Sequence, residues 1–145
     1  MTNFRHILPL LLFIITIFSC SSPEKRSEGN INPTVTAKTE IWLFHQTRRC
    51  KSCKAVEAIV ERVLRNEFLD IKDSVQLRKI NLSLPENNQY AEKFKANWSG
   101  LYLCTQTSKG EIIENLTTFA LFYAQIKPDT VYSLLKQKIN QNLNL

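Results

Sequence analysis

Phe44-His45-Gln46-Thr47-Arg48-Arg49-Cys50-Lys51-Ser52-Cys53-Lys54-Ala55-Val56-Glu57 is the stretch on which the fold turns. Its two cysteines stand between an apolar run, Ile41-Trp42-Leu43-Phe44, and a segment of helical periodicity. The run has the length and composition of a buried strand. Downstream, Val56, Ile59, Val60, Val63 and Leu64 fall at i, i+3, i+4, i+7 and i+8, one apolar stripe of an amphipathic helix. Glu57, Glu61, Arg62 and Arg65 lie off the stripe, and Glu61 with Arg65 is spaced for an i, i+4 pair. The reading is therefore strand, cysteine pair, helix, with Cys50 at or just before the helix N-terminus and Cys53 one turn in.

Beyond the helix, Val75 to Ile80 reads as a second strand. Ser83-Leu84-Pro85-Glu86 has the form of a helix start, with Ser83 as cap and Glu86 three residues later. Tyr90 and Phe94 then share a face. Leu101 to Thr105 is a third strand, Lys109-Gly110 a turn and Glu111 to Asn115 its hairpin partner. Thr117 to Gln125 is expected to form a short helix. Val131, Leu134, Leu135 and Ile139 belong to a last helix, expected to be capped by Asp129. The order strand, helix, strand, helix, strand, strand, helix joins a parallel crossover to an antiparallel hairpin. It predicts an α/β protein with a mixed sheet of about four strands and helices on both faces. With Cys-x-x-Cys between the first strand and first helix, that order is the thioredoxin fold.

The 145 residues suffice for one domain. The first nineteen read as a signal: Arg5 is followed by an almost wholly apolar run from Ile7 to Phe18, short for a membrane span of about 20 residues. Ser19-Cys20 closes that run and resembles the bacterial lipobox, with Ile17 where Leu is more usual. The resemblance implies cleavage before Cys20 and acylation of its sulfur and new amino terminus. Several acyl chains anchor firmly to a bilayer, at about 0.8 kcal/mol per buried CH₂. Residues 20–38, rich in Ser, Pro, Asn, Thr and charge, then read as a lipidated flexible tether, and 39–145 as the thioredoxin-like domain. The expected location is the cell envelope, anchored and facing the periplasm. The formal charge is +6, and +5 without Arg5. Its basic residues are scattered apart from Arg48, Arg49, Lys51 and Lys54. No aromatic-interleaved basic patch points to nucleic acid.

Of four cysteines, Cys20 is assigned to lipid, Cys50 and Cys53 are spaced as a pair, and Cys104 is left in the third strand. A zinc site would want a second cysteine pair, which the chain lacks. Residues three apart on a helix face the same side, so Cys50 and Cys53 can bridge. The free N–H groups and partial positive charge of the helix start favour a thiolate. Arg49 and Lys51 add positive charge, so Cys50 is expected to be the nucleophile and Cys53 the resolving thiol. Glu57, one turn beyond Cys53, reads either as a proton donor and acceptor for Cys53 or as a surface ion pair with Lys54 or Arg62. His45 reads either as a thiolate or metal neighbour or as a loop histidine bonded to backbone. Cys104 reads as a buried inert thiol.

The stretch Phe44-His45-x-Thr47-x-Arg49-Cys50-x-x-Cys53-x-x-Val56-Glu57 resembles the thioredoxin-like family of nitrophenyl compound nitroreductase subunit ArsF-like proteins. Those carry Phe-His-x-Thr-x-Arg-Cys-x-Thr-Cys followed by Ile-Glu; Ser52 here replaces the Thr and Val56 the Ile. The similarity runs from about Ile41 to the C-terminal helix. It implies a redox accessory role; no cofactor is expected, since nothing in the chain resembles a flavin site. Ordinary thioredoxins have Gly-Pro where this chain has Lys51-Ser52, and Trp where it has Arg49. They also carry a cis-proline before the third strand, where this chain has Asn97-Trp98-Ser99-Gly100. Three functions follow as expectations, the third being a degenerate thioredoxin fold that serves as a protein-interaction subunit. The first is thiol–disulfide exchange with a protein dithiol or disulfide partner of the envelope. The alternative is a module that holds a soft metal or metalloid through Cys50 and Cys53, with His45.

Overall fold

The computed structural model describes residues 38–144. The signal, Cys20 and most of the expected tether lie outside them. Four strands form one sheet in the order β2-β1-β3-β4: β1 Lys38–His45, β2 Val75–Asn81, β3 Gly100–Thr107 and β4 Gly110–Asn115. β1 runs parallel to β2 and antiparallel to β3, and β3 and β4 form the antiparallel hairpin. Four helices complete the chain: α1 Lys51–Glu67, α2 Asn88–Phe94, α3 Thr117–Tyr123 and α4 Pro128–Leu143. This is the expected thioredoxin-like α/β architecture. Among the described residues no helix is long and apolar enough to cross a membrane.

β1 is central, and its four apolar residues are divided by the two-residue period of a strand. Ile41 and Leu43 face a core built with Val56, Ile59, Val60 and Val63 of α1 and Val131, Leu135 and Ile139 of α4. Trp42 and Phe44 face the opposite side, with Phe94, Ala96, Tyr102 and Cys104. There α2 closes an aromatic cluster. The Trp42 ring lies 4.7 Å from that of Phe94 and 5.3 Å from that of Tyr90, while Phe44 meets Tyr102 edge-on at 5.4 Å. A strand buried on both faces gives up alternation in its sequence, which is why Ile41 to Phe44 is continuously apolar.

Three local expectations are corrected. Ser83 does not cap a helix. A 3-10 turn, Pro85–Asn87, precedes α2, and the Ser83 hydroxyl donates to Gln46 Oε1 (2.9 Å) while accepting from the Thr47 N–H (3.1 Å). The loop after β1 competes successfully for that hydroxyl. Asp129 does not cap α4 either. The helix starts at Pro128 after Lys127, and Asp129 in its first turn binds Arg62 at 2.8 Å. Proline at the first helical position brings its own fixed φ and lacks the N–H that would need a partner. Finally, Glu61 pairs across the fold with Lys79 at 2.5 Å rather than along the helix with Arg65.

Candidate redox site

β1 delivers the chain to the C-terminal end of the sheet, where His45 to Arg49 turn it into α1. The turn is tied to the end of β2. The Leu82 N–H donates to the His45 carbonyl (2.8 Å), and Asn81 Nδ2 donates to Thr47 Oγ1 (3.2 Å). Cys50 then occupies the N-cap of α1 with extended backbone, φ −75° and ψ 164°. Its sulfur accepts from the Cys53 N–H at 3.1 Å, taking the part that a serine or aspartate oxygen usually plays at a helix start. Cys50 and Cys53 form a disulfide with Cα atoms 5.2 Å apart, inside the ordinary range. Cys50 is exposed, whereas Cys53 is 6% exposed. The two sulfurs are thus chemically unequal: one at the surface on the free N–H groups of the helix, the other under the first turn. That turn holds no acidic residue to oppose a negative charge on sulfur.

Arg49 does not stand free beside Cys50. Its guanidinium binds Glu57 at 2.5 Å, and Lys79 of β2 reaches the other oxygen of the same carboxylate at 2.7 Å. The Arg49 and Glu57 side chains are 22% and 16% exposed, so the pair is only partly screened by water. Burial alone would push the Glu57 carboxyl up; hydrogen bonding and charge from Lys79 and Arg49 outweigh it and hold the carboxyl below its ordinary value. Lys79 is shifted up by its hydrogen bonds to Glu57 and Glu61. Glu57 is therefore a held carboxylate whose partners are neither Lys54 nor Arg62. Arg62 instead sits over the Tyr132 ring, 4.7 Å from its centroid, and binds Asp129. The clamp ties the residue before Cys50 to the turn after Cys53.

His45 lies at the end of β1 with its Nδ1 donating to the Gln46 carbonyl at 3.1 Å, the backbone-bonded loop arrangement. Among the described residues no group of three or more His, Cys, Asp or Glu side chains is placed to hold a metal ion. Lys51 is exposed, and Ser52 accepts a hydrogen bond from Gln125 Nε2 at 2.5 Å. Gln125 follows α3 and is a neighbour that local sequence pattern does not disclose. Lys79 is another, placed by the register that sets Leu43 opposite it. Cys104 is remote: it pairs with Glu40, four residues, or about 13 Å, along β3 from the Gly100 end. Its thiol is buried and donates to Glu111 Oε1 at 3.0 Å; burial, then Glu111, pushes its pKa up to about 12.

The strand register also sets which segment lies at the disulfide end of the sheet. Gly100 pairs with Phe44, so residues 97–99 enter β3 at the same end of the sheet as Cys50. Glycine is required there. A Cβ at Gly100 would lie 2.6 Å from Thr117 Oγ1 and 2.9 Å from Tyr102 Cε2, because the start of α3 packs directly on the strand end. No peptide bond among the described residues is cis.

No family model matches the chain, and no curated protein does. Among solved structures, that of a malarial protein is similar at 15% identity, covering 62% of this chain and 96% of that one, with a TM-score of 0.39. A likeness at that level carries no argument. The chemistry is read from the residues alone: an exposed sulfur at a helix start, linked to a buried sulfur one turn on.

Proposed function

We propose that the chain is a thiol–disulfide oxidoreductase of the bacterial cell envelope, held to a membrane by lipid on Cys20. The observation that supports this most is the exposed Cys50 sulfur at the N-cap of α1, bridged to the buried Cys53. In the reduced form the Cys50 thiolate attacks a partner disulfide. A Cys50–partner bond forms, the partner's S–S bond breaks and its first sulfur leaves as a thiolate. Cys53 then gives up its proton to the partner thiolate just released and attacks the Cys50 sulfur, and the second partner sulfur leaves as a thiolate. The partner gains two electrons and the Cys50–Cys53 disulfide is restored. The reverse sequence oxidises a partner dithiol. The likeness of residues 44–57 to the ArsF-like proteins supports a redox accessory role alongside another envelope protein.

The test is a trap. Cys53→Ser leaves the attacking sulfur with nothing to release its partner, so mixed disulfides accumulate on Cys50, while Cys50→Ser accumulates few. If the Cys50→Ser variant is the better trap, the two roles are reversed; if neither accumulates a partner, the exchange reading fails.

A further inference from the structure

The end of the sheet that carries the disulfide has a composition of its own. Arg48, Lys51 and Lys54 are exposed, and among the described residues none is in an ion pair. Other described cations, Lys72 and Lys109 among them, are also outside any ion pair; Arg48, Lys51 and Lys54 differ in lying within four residues of Cys50. Glu57, one turn beyond Cys53, is already bound by Arg49 and Lys79. The opposite pole, by contrast, mixes Lys72 with Asp70 and Asp73. Three exposed positive charges thus cluster in sequence about Cys50, none in an ion pair among the described residues, and the exposed acid at this end is Glu86 in the turn after β2.

Apolar surface adjoins them. The Gln125–Ser52 hydrogen bond seats the end of α3 against the cysteine pair. Phe122, in the last turn of α3, is 63% exposed, and Ile126, directly after Gln125, is 66% exposed. Trp98, at the entry to β3, is 68% exposed.

We propose that this face docks a polypeptide segment whose disulfide lies beside acidic residues and a large apolar side chain. The proposal rests on the exchange reading above and names its substrate class. Opposite charge raises the rate of encounter and orients the scissile disulfide toward Cys50, and the exposed apolar residues contribute contact area once it has arrived. A cationic cluster is also a repulsive element against disulfides flanked by lysine or arginine, so the same charges discriminate as well as attract.

The experiment uses the full chain in neutral detergent, reduced, with two synthetic disulfide peptides of equal length. One carries glutamates and a leucine beside the disulfide; the other carries lysines and the same leucine. The acidic peptide is reduced at least tenfold faster at about 10 mM salt, where charges act over about 30 Å, and the ratio collapses near 1 M, where they act over about 3 Å. Arg48→Glu/Lys51→Glu/Lys54→Glu inverts the ratio. Taking the ratio of two peptides within one variant cancels any change in the Cys50 thiolate itself. Phe122→Ser slows both peptides alike. Equal rates for both peptides, independent of salt, overturn the acidic-partner assignment and leave the exchange reading standing. Reduction of neither peptide overturns both.

Discussion

Replacing Glu57 by Gln removes the charge that holds Arg49 and Lys79 while keeping the shape of the side chain. The structure sets the size of the effect. Lys79 retains Glu61 at 2.5 Å, so its loss is small. Arg49 has Glu57 as its one ion-pair partner among the described residues, and its Nε and Nη2 are buried with no hydrogen bond. A charge-assisted hydrogen bond contributes about 1.5–3 kcal/mol, and this one is only partly exposed, so a loss of about 2 kcal/mol is expected. For a domain of about 100 residues that is on the order of 10 °C in Tm. Thermal unfolding of the oxidised protein measures it. The carboxyl is held below its ordinary value of 4.5 in the folded state, so its contribution is complete above that pH and is lost as pH falls through the depressed folded value. The gap in stability between the parent and Glu57→Gln should therefore be constant near neutrality and close on acidification. A Tm within about 2 °C of the parent at neutral pH would mean that water screens the clamp as it does an ordinary surface pair, and would refute the reasoning.

Gly100→Ala should destabilise by about 1–3 kcal/mol in denaturant titration, because the new methyl meets Thr117 and Tyr102; pairing it with Thr117→Ser, which keeps that Oγ, should relieve little of the loss. Cys104, with its pKa at about 12, should stay unmodified by a thiol alkylating agent near pH 8 in the folded protein while reduced Cys50 reacts; comparable rates at both would contradict its burial. Phe94→Ala, which opens the aromatic cluster between α2 and the sheet, should cost about 3–5 kcal/mol in the same denaturant assay.

The fold was legible because its decisive signals are local. Ile41 to Phe44 can only be a doubly buried strand or a helix fragment, and the cysteine pair followed by the Val56–Val63 stripe resolves that choice. The hairpin was marked by Lys109-Gly110, and Gly110 does take a positive φ of 117° there. The missed features share another property: each depends on a partner far along the chain. Ser83 was readable as a cap, yet Gln46 and Thr47, 37 and 36 residues earlier, claim its hydroxyl. Asp129 looked like a cap, yet Arg62, 67 residues away, takes its carboxylate. Glu57 stands one turn beyond Cys53 along the helix, but its character is set by Lys79, which only the β1–β2 register brings near. A polar side chain chooses among several partners of similar strength, and packing of the apolar elements decides which are within reach.

The reduction potential of the Cys50–Cys53 pair tests the central claim most directly, since it separates a working dithiol from a structural staple. Equilibrated in buffers of defined dithiol–disulfide ratio, the full chain should interconvert as a two-electron couple. Its midpoint should lie in the range of exchange proteins, about −270 to −120 mV. The reduced form should alkylate first at Cys50. A midpoint below about −300 mV, with the disulfide resisting reduction until the domain unfolds, would mark a structural bond and contradict the account.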